Sequence, residues 1–85
     1  MKNRKQELLI ILQEESAEVV QAVSKCFRFG ESERNLKDLE TEIGDFMGVL
    51  KSLIEEQHLD GEKIMAAGEA KIKKLAKYMT HKKVS

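Results

Sequence analysis

The sequence predicts an all-α protein: an antiparallel bundle of three main helices, with room for a short fourth, completed by association of copies. Three observations carry this. Proline and tryptophan are absent and there are only five glycines, too few turn residues for 85 residues of short strands. Apolar residues recur at three- and four-residue spacing through three long segments. The breaks between those segments are short, which favours antiparallel neighbours.

The first segment runs from about Lys5 to Phe29, and Gly30 is the glycine that ends it. Leu8, Leu12, Val19, Ala22, Val23 and Cys26 form its apolar stripe. After the polar stretch Gly30-Glu31-Ser32-Glu33-Arg34, Asn35 is the expected N-cap of the second segment, with Asp38 in its first turn. That segment reaches about Gln57, and Leu36, Leu39, Ile43, Phe46, Met47, Leu50, Leu53 and Ile54 share one side of it. The second break is His58-Leu59-Asp60-Gly61, where Asp60 can cap the third segment, about Glu62 to Met79. Met65, Gly68, Ile72, Leu75 and Met79 line its stripe. Residues 1–85 read as a single domain with a mobile tail from about 80 to 85.

Fifteen basic residues balance fifteen acidic ones, which argues against a general nucleic-acid coat, so no nucleic-acid partner is expected. One cysteine, Cys26, makes neither an internal disulfide nor a zinc site, and a reducing compartment is the natural setting. The apolar run Leu8–Leu12 is five residues long, whereas a signal core needs at least about 7 and a membrane span about 20. A soluble, cytoplasmic protein with no membrane partner is expected. Leu9, Ile10, Ile11, Val20 and Val49 fall outside the main stripes. Such wide apolar arcs point to a second buried face, hence a homodimer or a dimer of dimers. Gly44 and Gly48, four apart, would let another helix approach closely.

The residues that carry chemistry are acidic. At about 100° per residue Glu15 falls inside the first apolar stripe, one turn from Ile11 and Val19, and Glu18 lies at its edge. In the second segment Glu42 flanks the stripe between Leu39 and Phe46, with Asp45 one turn on beside Val49. Burying an unpaired carboxylate costs several kcal/mol, so these acids need a partner, either basic side chains or a divalent cation. Two carboxylates at i, i+3 on each of two facing helices converge on one point. An all-oxygen cluster suits magnesium, or manganese, and not zinc or copper. A lone pair of this kind is most often a solvated helix face; the second pair is what raises it above that. Neither His58 nor His81 follows a glutamate by three, so an iron-carboxylate bundle is disfavoured.

Glu14-Glu15-Ser16-Ala17-Glu18, followed after 23 residues by Glu42-Ile43-Gly44-Asp45, resembles the E-E-x-x-E … E-x-x-D pattern of the MazG-like all-α nucleoside triphosphate pyrophosphohydrolases. The resemblance spans the first two segments. It implies that Glu15, Glu18, Glu42 and Asp45 ligate magnesium, with Glu14 an accessory acid near the site and Glu14 and Glu15 as the catalytic residues. It also implies hydrolysis of a (d)NTP to the monophosphate and pyrophosphate. Alternatives are phosphoribosyl-ATP hydrolysis, the same chemistry on another substrate, and a helical interaction or regulatory module without turnover. In this family the last helix carries phosphate- and base-contacting residues; here Lys71 and Lys74, on one face with Tyr78, are the candidates, and Leu75 stands near the family's asparagine. Lys25 and Arg28 suit the end of the first helix and could also reach a triphosphate. Phe27 and Phe29 could sandwich a base, although aromatics at helical spacing are more often core.

Overall fold

Asn3 and Gln6 fix the start of the first helix. The Asn3 side chain accepts from the Gln6 backbone N–H (2.8 Å) and the Gln6 side chain accepts from the Asn3 N–H (3.0 Å), a reciprocal capping box. From there the computed structural model, which describes residues 2–83, is all-helical: α1 spans Arg4–Phe29, α2 Glu33–Glu55 and α3 Gly61–Tyr78. No strand occurs among the described residues. Gly30 ends α1 at φ 102°, a backbone conformation that side chains with a Cβ rarely adopt, and its N–H closes on the Cys26 carbonyl at 3.1 Å.

The second helix starts earlier than expected. Ser32, not Asn35, is its N-cap: the Ser32 hydroxyl accepts from the Asn35 N–H, and the Asn35 side chain instead donates to the Gly30 carbonyl at 2.9 Å. A serine three residues ahead takes over the capping role, accepting from the third residue of the helix, and adds most of a turn. Asp60 caps α3 as the sequence indicates, accepting from the N–H groups of Glu62 and Lys63.

Helices α1 and α2 pack as an antiparallel hairpin along two seams of the same spacing. In α1 the seam is Leu8, Leu12, Glu15, Val19, Ala22 and Cys26; in α2 it is Asn35, Leu39, Glu42, Phe46, Val49 and Leu53. Steps of four and three residues keep such a seam facing a partner helix along its whole length. Every seam residue is buried or half-buried, with Leu53 fully enclosed and Ala22 and Cys26 next. Val23 of the expected stripe lies off the seam and is exposed.

The third helix does not close the bundle. None of its residues is buried, and it runs away from the hairpin instead of along it. The shape follows: 45 × 30 × 16 Å with a radius of gyration of 15.6 Å, against about 12 Å for a compact domain of this length. The cause lies at the corner. Gln57 takes a left-handed φ of 62°, and the N–H groups of His58 and Leu59 both turn back to the Leu53 carbonyl, at 2.9 and 3.3 Å. Gly61 then passes so close to Ile54 that an added Cβ would meet its Cγ2 at 3.0 Å. Beyond α3, the Lys82 ammonium donates to the carbonyls of Ala76 and Lys77, both at 2.9 Å, and satisfies two helix-terminal acceptors. Of the expected mobile tail, Val84 and Ser85 lie outside the described residues. No helix among the described residues is long and apolar enough to cross a membrane.

Candidate metal centre

Glu15 and Glu42 hold seam positions otherwise given to apolar side chains, so each helix delivers a carboxylate toward the other. Asp45 follows Glu42 by three residues and borders, with Glu15, a groove on one flank of the hairpin lined also by Leu8, Ile11, Gly48 and Val49. One carboxylate oxygen from each of Glu15, Glu42 and Asp45 lies within 4.8 Å of the other two. Glu15 and Glu42 are half-buried and Asp45 is exposed.

Glu18 does not join this group. Three residues beyond Glu15 it sits about 60° round the helix, off the seam, and it is exposed, as is Glu14. The expected four-carboxylate set is therefore a three-carboxylate set in this structure, although both outlying acids still act on Glu15 through space. Partial burial, and after it the charges of Asp45, Glu42, Glu18 and Glu14, hold the Glu15 carboxyl above the ordinary glutamate range. Every charge acting on it is acidic; no lysine or arginine compensates it.

This donor set fits a hard divalent cation. It offers oxygen alone, and magnesium needs few protein carboxylates because it keeps several waters and completes its shell with phosphate oxygens. At about 2.1 Å per bond, adjacent ligand oxygens lie about 3 Å apart, so the three oxygens, which lie within 4.8 Å of one another, would draw closer to hold one ion.

The basic candidates stand apart from the acids. Lys25 and Arg28 lie ten and thirteen residues beyond Glu15, about 15 and about 20 Å along the helix. The Arg28 guanidinium rests 5.1 Å from the centre of the Phe29 ring. Lys71 and Lys74 are exposed on α3, which leaves the hairpin before reaching the acids. Phe27 and Phe29 are both exposed at the loop end and hold no position near the group.

One charged cluster was not legible in the sequence. Arg4, at the start of α1, donates from Nε and Nη2 to the two oxygens of Glu56 at 2.7 and 2.8 Å, and His58 Nε2 lies 3.4 Å from the same carboxylate. The partners are 52 residues apart, and only the antiparallel register brings them together. His58, read from sequence as a plain loop residue, is part of this corner.

The two carboxyls make opposite demands on pH. Glu15 is held high, so between its ordinary and its raised value the folded chain keeps a proton that the unfolded chain has released. Stability of the metal-free protein falls as pH rises through that interval and stays lower at neutrality. Glu56, held low first by its hydrogen bond from Arg4, stabilises above the ordinary carboxylate range and loses that contribution as pH falls. In urea titrations at pH 4 to 7, Glu15→Gln removes the high-pH decline and leaves the low-pH loss. An unchanged decline would show that Glu15 is not its source.

No family model matches the chain, and neither a curated protein nor a solved structure matches it.

Proposed function

We propose that the protein is a magnesium-dependent nucleotide pyrophosphohydrolase that converts a (d)NTP to the (d)NMP and pyrophosphate, acting as a homo-oligomer. The observation that supports this is the convergence of Glu15, Glu42 and Asp45 from two helices with no basic side chain among them. A cation bound there, magnesium or manganese, would neutralise phosphate oxygens and the charge that develops on them. Glu15, Glu42 and Asp45 would hold it, with Glu18 and Glu14 adding negative potential from the flank. A carboxylate of this acidic group would take the proton of the attacking water. Hydrolysis would join the water oxygen to the α-phosphorus and break the α–β bridge, releasing pyrophosphate, with the water's proton passing to that carboxylate.

One observation favours a second reading. Lys25, Arg28, Lys71 and Lys74 do not approach the acids within the protomer, so a metal-binding helical module without turnover also fits. A pyrophosphate-release screen across all NTPs and dNTPs, with magnesium or manganese, decides between them. Release that Glu42→Gln abolishes supports the hydrolase. No release above background on any substrate supports the module.

A further inference from the structure

Besides the seam that faces α1, the second helix carries another along its outer side: Leu36, Ile43, Met47, Leu50 and Ile54, with Glu40 as the one polar interruption. The third helix carries Met65, Gly68, Ile72 and Leu75 at the same alternation of three and four, with Met79 at its C-cap. This spacing is that of helices that pack lengthwise against another helix, yet both seams stand open. Seven of their side chains, Leu36, Ile43, Met47, Met65, Ile72, Leu75 and Met79, are 40–68% exposed. The seams meet at the corner in an apolar notch of about 800 Å³, lined by Met47, Leu50, Ile54, Gly61, Ile64 and Met65.

We propose that the notch is filled by α3 of a second copy of this chain, the two copies exchanging third helices about a two-fold axis. Three observations select this occupant. First, the helices are matched in charge. α2 has six acids against three bases, net −3, and α3 has five lysines against two glutamates, net +3. None of those five lysines has an ion-pair partner among the described residues. Run antiparallel, α3 brings its lysine-rich end to the end of α2 that carries Glu33 and Glu40, so Glu40 gains the counter-charge it lacks inside one chain. Second, the chain's own α3 does not lie back along its α2: the N–H groups of His58 and Leu59 turn onto the Leu53 carbonyl and Gly61 passes close over Ile54, so α3 leaves the hairpin at this corner. Third, the exposed seams offer on the order of 700 Å² per protomer, near the ~800 Å² per partner of a standard interface, and reciprocal exchange buries both at once. Gly68, at the middle of the α3 seam, has nothing within 4 Å of where a Cβ would stand, so the seam is open there to the close approach of a partner helix.

The test reads assembly, not turnover, so it bears on this interface whether or not the acidic group binds metal. Sedimentation velocity at ~10 µM should give twice the 9.7 kDa chain mass. Ile72→Glu should give the monomer while keeping the circular-dichroism signal of the hairpin, to which α3 contributes no buried residue. In a Cys26→Ala background, Ile43→Cys with Ile72→Cys should oxidise to a covalent dimer on a non-reducing gel. A monomeric wild type, a dimer that survives Ile72→Glu, a disulfide within one chain, or no disulfide would each overturn the proposal. The first of these would leave the seams to a different partner, and the third would mean that α3 folds back on its own α2.

Discussion

Millimolar magnesium or manganese should raise the melting temperature at pH 7, and sodium chloride of equal ionic strength should not reproduce the rise. Glu15, Glu42 and Asp45 repel one another in the metal-free fold, and a cation bound to the folded state alone both removes that repulsion and adds its binding energy. At a hundredfold excess over Kd the gain is about 2.7 kcal/mol, on the order of 10 °C for a domain this small. Glu42→Gln separates this from general salt effects. It should raise the melting temperature of the metal-free protein, by relieving a like-charge contact at a seam position, and abolish the metal response. If it instead lowers that temperature and the metal response persists, Glu42 is a structural partner and the acidic group is not a cation site.

Leu53→Ala should be the most damaging single truncation in the hairpin. Leu53 is fully enclosed, and its carbonyl also receives the two N–H groups that form the corner. Deleting a buried leucine costs about 3 kcal/mol or more through lost transfer energy and the cavity left behind. A chain of this size has roughly 4–13 kcal/mol in all, so a large share goes. Urea denaturation followed by circular dichroism should show the midpoint collapse. Phe27→Ala, on a side chain 85% exposed, should stay within about 0.5 kcal/mol of wild type. Equal effects from the two would mean that the enclosed end of the hairpin is not where stability resides.

What could be read from the sequence was periodic, and what could not was relational. The three helices follow from spacing, and Asp60 from cap chemistry. The displaced cap at Ser32 shows how a second good capping residue three positions ahead defeats a local reading. Glu15 was legible because a carboxylate in an apolar stripe is costly and so conspicuous. Glu18 lies outside the three-carboxylate group because a position at a stripe's edge faces inward or outward depending on where the partner helix lies, which one helix cannot disclose. The stripe of α3 was legible as a stripe, but not that it would stand off its own hairpin. Periodicity says that a face needs covering and is silent on what covers it. Only the backbone turn at Gln57 and the pass of Gly61 over Ile54 reveal the direction in which α3 leaves.

The hairpin is closed at both ends. Gly30 and Ser32 join the helices covalently at one end, and Arg4 clasps Glu56 across 52 residues at the other. The acids lie between, eleven residues from Arg4 and fourteen from Phe29, about 17 and about 21 Å along α1. Mechanically this is a beam fixed at its two supports and loaded near mid-span. Mutual repulsion of the carboxylates can bow the two rods apart locally, but neither end is free to splay and relieve it. The gap between Glu15 and Glu42 is therefore governed by the stiffness of two helices, and neutralising the charges there would let the bowed rods draw back together.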